Sequence, residues 1–137
     1  MLRVRFGKRS IWGGLGGVIV MVAVAGCYGG GGGAPHDPVL DMGLGSPPEV
    51  ASKPAGLKND EGMSHFRQGH FDTSTEFFQA AIKAAPDLAE AHFNLALALD
   101  QMGKHPEATE QFAKAKELAP NNPKITGNEI LKKHTGA

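Results

Sequence analysis

Apolar side chains recur at spacings of three and four along the second half of the chain. From residue 89 onward, Ala91, Leu95, Ala98, Leu99 and Met102 form one such series. That spacing lines one face of a 3.6-residue helix and predicts a helix over 89–101. Ala108, Phe112, Ala115 and Leu118 repeat the pattern and predict a second helix over 106–118. Gly103-Lys104 separates the two, and Pro106 suits the first turn of the second, where a missing N–H costs nothing. Pro120 cannot continue a helix, so it ends the unit and turns the chain. A weaker version of the pattern predicts helices near 58–68 and 72–84. Beyond Pro120, the stretch 123–134, PKITGNEILKKH, predicts a short capping helix. There Ile125, Ile130 and Leu131 would cover the preceding pair, and Lys132, Lys133 and His134 suit a helix C-terminus.

The two helix pairs are copies of one another. At a shift of 34 residues Gly69 meets Gly103, Phe78 meets Phe112, Ala81 meets Ala115 and Pro86 meets Pro120. Lys83 meets Glu117, an exposed mismatch. Small residues at Ala96, Ala108 and Ala115 let helices approach closely, and Phe112 fills the space between them. The period and these positions resemble the tetratricopeptide repeat. In the unit 89–122, Leu95 and Ala96 stand at the family's Leu-Gly pair and Leu99 in its aromatic slot. Ala108, Phe112, Ala115 and Pro120 fill the other signature positions, while His92 replaces the common Trp. In the unit 55–88, Gly62, Phe78, Ala81 and Pro86 fit. Ser74, His65 and Glu61 depart from the pattern.

The resemblance implies an all-α fold: an α-α superhelix of two helix-turn-helix units over 55–122, with a C-terminal cap and tail over 123–137. It also implies a protein partner. By position, the first helices of the two units would line a concave groove with Asn59, Met63, Phe66 and Arg67 from one and Phe93, Leu97, Asp100 and Gln101 from the other. Phe93 and Leu97 lie one turn apart on one face, and with Met63 and Phe66 they would offer a modest apolar groove for a peptide. The competing role for Phe66 and Phe93 is packing between units. A basic clamp for a peptide carboxylate is not expected, because only Asn59, Arg67 and Asn94 are at hand. Two units are few for this architecture, and the N-terminal side carries no evident cap. Self-association, or a partner covering that face, follows as an expectation.

The first half reads differently. Arg3, Arg5, Lys8 and Arg9 precede an uncharged run, IWGGLGGVIVMVAVA, over 11–25. This is the basic start and apolar centre of a secretory signal. As a helix the run would reach only about 22 Å, short of the roughly 30 Å hydrocarbon core. A signal peptide over 1–26 is therefore expected. Its end, Val24-Ala25-Gly26-Cys27, resembles the bacterial lipobox, with Val in place of the usual Leu. The resemblance implies a diacylglyceryl thioether on Cys27, cleavage before it, and further acylation of the freed amine. Two or three chains anchor stably at about 0.8 kcal/mol per buried methylene. Tyr28 in the following position implies an outer-membrane anchor facing the periplasm in a Gram-negative envelope. Five glycines over 29–33 and Gly/Pro-rich sequence through Lys58 bury little apolar surface and predict a disordered linker. A tether over 27–54 would have an r.m.s. reach of about 30 Å.

Charge sharpens the picture. The chain holds 14 basic and 14 acidic side chains, but the four basic residues named above lie in the signal. The processed chain would carry an acidic excess of four, a poor surface for nucleic acid. One Cys excludes an internal disulfide. His65 and His70, and His92 and His105, show no metal-ligand spacing, so no metal site is expected and the histidines read as surface or packing residues. Glu107 and Glu110 read as a solvated helix face. No nucleophile stands in a recognisable context, so no catalytic residue is expected, and the covalent lipid on Cys27 is the only expected attachment. The sequence thus reads as a lipid-anchored interaction or scaffold module of the cell envelope, serving assembly of a pilus, secretion or outer-membrane complex. The alternative is a structural or accessory subunit of an envelope enzyme or electron-transfer complex, without a peptide groove.

Overall fold

The computed structural model describes residues 36–136. The expected signal peptide, Cys27 and the glycine run at 29–33 lie outside the described residues. Among those described, the chain is all-helical. A 3-10 turn at Pro38–Asp41 leads through an extended stretch to α1 (Pro48–Ala51). There follow α2 (Pro54–Arg67), α3 (Phe71–Ala84), α4 (Ala89–Gln101), α5 (His105–Leu118), α6 (Pro123–Thr126) and α7 (Glu129–Thr135). No described helix is long and apolar enough to cross a membrane.

Helices α2 and α3 form one antiparallel hairpin and α4 and α5 a second. The hairpins stack through α3 on α4, and α7 lies against α5. The two hairpin turns are built alike. Gly69 and Gly103 adopt φ of 76° and 73°. Each N–H bonds the carbonyl three residues back, on Phe66 and on Asp100. The next N–H, on His70 or Lys104, bonds the carbonyl five residues back. Only glycine takes this left-handed backbone freely. A Cβ at Gly103 would meet nothing within 4 Å, so the strain is purely of the backbone. Gly103→Ala is expected to cost about 1 kcal/mol, measured by urea unfolding; an unchanged midpoint would show that the turn relaxes.

Packing follows the repeat positions. Phe78, Ala81, Ala96, Ala108, Phe112 and Ala115 are fully buried. Phe93 and Phe112 meet edge to face, with centroids 5.6 Å apart. Helix α4 is buried at Ala89 and from Ala91 through Leu99, because α3, α5 and the N-terminal stretch cover it from different sides. Even its polar members find partners. His92 sets Nε2 3.0 Å from the Pro86 carbonyl and Nδ1 2.8 Å from the Gln111 side chain. It ties the loop before α4 to α5 from the repeat's usual Trp position.

Two element boundaries differ from the sequence expectation. Helix α2 begins at Pro54, earlier than 58, because proline is tolerated at a first turn and Ala55 and Gly56 are buried there. The predicted single cap is two helices. Asn128 accepts from the N–H groups of Ile130 and Leu131, so a new helix starts where Gly127 and Asn128 break the first. Ile125 and Leu131 are fully buried and cover the second hairpin as expected.

Candidate functional site

The helices expected to line a groove are α2 and α4, and each carries one asparagine on the side facing the other. Asn59 and Asn94 are 0 % and 1 % exposed. A buried amide needs partners for its donors and its acceptor. The two meet each other, Asn94 Nδ2 donating to Asn59 Oδ1 at 2.8 Å. Their remaining capacity goes chiefly to two residues of the N-terminal stretch, Leu44 and Ser46. The Leu44 N–H donates to Asn94 Oδ1 at 2.7 Å, and Asn94 Nδ2 donates to the Leu44 carbonyl at 2.6 Å. Asn59 Nδ2 donates to the same carbonyl and to Ser46 Oγ, both at 3.1 Å. One asparagine thus grips both peptide groups of a residue, as a neighbouring β-strand would.

The stretch from Pro38 to Pro47 therefore lies in the groove. Val39, Leu40, Met42 and Leu44 pack against the main apolar cluster, which includes Met63, Phe66, Phe93 and Leu97. The backbone runs so close to α2 at Gly43 that a Cβ there would run into the Met63 thioether. Further along, the Ser46 N–H donates to Asp60 Oδ1 at 2.9 Å, and Ser46 Oγ donates to the Gly56 carbonyl at 3.0 Å. From Val39 onward, the segment expected to be a free tether is held against the helices by specific contacts.

The residues assigned to the groove from sequence separate into three groups. Asn59, Met63 and Leu97 are buried beneath the N-terminal stretch or in the core it joins. Phe66 and Phe93 are buried in packing within their own hairpins, Phe66 edge-on to Phe71 at 5.4 Å and Phe93 to Phe112. Charges introduced at 93 or 97 would be buried and would test folding, not a surface. Arg67 is exposed, and Asp100 and Gln101 are half-buried. Asp100 engages His105 and His134, outside the groove.

The residue central to this contact, Asn94, was counted from sequence only towards an insufficient carboxylate clamp and not among the lining residues. The available signal was its setting, an asparagine among Phe93, Leu95 and Leu97 in a helix with almost no polar face. Such a residue is buried, and a buried amide requires a backbone or side-chain partner. Chemically the arrangement binds an extended main chain. It reads one N–H and one C=O, favours a residue without a side chain immediately before, and takes apolar side chains on either side. Residues 59–123 match the family model described as tetratricopeptide repeat. No curated protein matches the chain.

Proposed function

Since the chain is a tetratricopeptide repeat protein through residues 59–123, we propose that it is a lipid-tethered protein-interaction module of the bacterial cell envelope, non-enzymatic, with a groove for an extended peptide segment. The observation that carries this reading is the Asn59–Asn94 pair, itself joined by a hydrogen bond, which grips extended backbone at Leu44 by three more. The lipobox-like Val24-Ala25-Gly26-Cys27 supports the tether. Eight residues separate Cys27 from His36, a span of at most about 32 Å when fully extended. With the stretch 38–47 docked, the repeats would stay close to the lipid. With it released, the reach would grow by the length of the freed chain, and the groove would open to a partner segment of the same chemistry.

A second reading is favoured by the closure of the groove itself. The N-terminal stretch then serves as a permanent cover for a two-unit fold that otherwise lacks one, and an accessory subunit would meet its complex on another face. Two measurements separate the proposals. In cells fed a palmitate analogue, the wild-type protein should take the label and sediment with membranes, whereas Cys27→Ser should do neither. Absence of label from the wild type would remove the anchor. Crosslinking in intact cells, read by mass spectrometry, should recover a partner, in higher yield when 38–47 is replaced by a Gly/Ser segment of equal length. An unchanged yield would favour the permanent cover.

A further inference from the structure

We propose that Asp100, His105 and His134 form a binding site for one first-row divalent metal ion of the zinc class, which would staple α7 to the second hairpin. The three residues come from three elements: the last turn of α4, the first residue of α5, and the last turn of α7. Asp100 Oδ1 stands 2.8 Å from His105 Nδ1 and 2.8 Å from His134 Nε2. All three ligand atoms lie within 4.8 Å of one another. Two imidazoles and a carboxylate are a donor set suited to zinc and its neighbours, with bonds of about 2.0–2.2 Å. Donor atoms on one tetrahedral ion at such bond lengths stand about 3.4 Å apart, so each imidazole would draw back from the Asp100 oxygen by roughly half an ångström to admit it. His105, whose side chain is 65 % exposed, can make that adjustment.

The donor pattern around His134 points the same way. Thr109 Oγ1 donates its single proton to the His105 carbonyl at 2.8 Å. The same hydroxyl lies 2.9 Å from His134 Nδ1 and fixes the ring with Nε2 turned to the Asp100 carboxylate, 2.8 Å away. In that orientation Nε2 and the carboxylate converge on one point, where a shared ion would sit. A hydroxyl fixing the far nitrogen is the orienting contact that metal-bound histidines use. His134 is also held in place by the Phe112 ring, 5.3 Å away.

The internal repeat supplies an independent comparison. At the shift of 34, Asp100 and His105 correspond to Phe66 and Phe71, which meet edge to face and simply close the first hairpin. The second hairpin puts a carboxylate and an imidazole at the same corner, facing the capping helix. Apolar packing would serve that corner if closure were its only task. A solvent-open pocket of about 400 Å³ lies against Asp100, His105, Ile130, Lys133 and His134, leaving room for a water or a partner's side chain as fourth ligand. Lys133 at its edge opposes a cation, but it is exposed and its flexible stem lets the ammonium remain in water.

The test uses the full chain in detergent, carrying Cys27→Ser so that no thiol competes, with Zn²⁺ alone titrated calorimetrically and Co²⁺ followed by absorption. One ion per chain is expected, with thermal unfolding moved upward by Zn²⁺. Asp100→Asn, His105→Ala and His134→Ala should each weaken binding by about tenfold or more, and Thr109→Val by about 10–100-fold through loss of the orienting hydroxyl. His105 is exposed, so its alanine variant keeps the fold and remains readable even if His134→Ala does not. Lack of stoichiometric uptake by the parent chain would overturn the site. Undiminished affinity in His105→Ala would do the same, assigning the metal to other histidines.

Discussion

Phe112→Ala is expected to destabilise the repeat domain by about 3–5 kcal/mol, a large part of the roughly 5–15 kcal/mol that holds a domain of this size together. The ring is fully buried and contacts both partners of its hairpin environment, edge-on to Phe93 in α4 and against His134 of α7. Its loss removes transfer free energy and leaves a cavity between α4, α5 and the cap, which three packed helices cannot collapse to fill. Urea unfolding followed by circular dichroism should show a lower midpoint with little change in slope. Leu57→Ala provides the control. Leu57 is 57 % exposed, and its truncation should shift stability by no more than about 0.5 kcal/mol. A loss of less than about 1 kcal/mol in Phe112→Ala would mean that the hairpin core repacks, and that the rigid helix stack described here is wrong.

That core was the most legible part of the sequence, because it is written twice. Phe78 and Phe112, Ala81 and Ala115, Gly69 and Gly103 occupy like positions in two copies, and each copy obeys the same helical spacing. Where a local signal competes with that period, the reading slips by a few residues. Pro54 starts α2 early because a proline at a helix start looks like a loop residue from outside. Asn128 splits the cap because its side chain satisfies N–H groups that a continuous helix would have satisfied internally.

The groove was legible only in outline, for a different reason. The composition of residues 36–47 reports a high entropic cost of ordering, and from this a tether follows. What offsets that cost is not in the segment at all. It lies in two asparagines 35 residues apart on separate helices, and in the apolar residues between them. No local window contains both halves of that interaction. The Asp100–His134 contact, 34 residues apart, escapes in the same way. Metal-ligand spacing is sought within one element, and these ligands are assembled by a hairpin turn and a cap.

Asn94→Ala should detach the N-terminal stretch while leaving the helices folded. The substitution removes partners from the Leu44 N–H and carbonyl and from Asn59 Oδ1. Leaving such groups unpaired in a buried setting costs about 1–3 kcal/mol each, but the segment has a cheaper outcome. Val39, Leu40, Met42 and Leu44 are only partly buried, so undocking returns the orphaned groups of Leu44 to water. The expected result is a stability loss of about 1–3 kcal/mol, with hydrogen exchange accelerating at Leu44 and Ser46 and unchanged in α4 and α5. Proteolysis should shift to the stretch 38–47. Asn59→Ala should act in the same direction but more weakly, since its bond to the Leu44 carbonyl is 3.1 Å and Asn94 still holds that residue. If Asn94→Ala exchanges no faster at Leu44 than the wild type, apolar contact alone seats the segment. If instead exchange rises together throughout α2 to α5, the segment and the repeats form one cooperative unit, and the groove cannot open without unfolding.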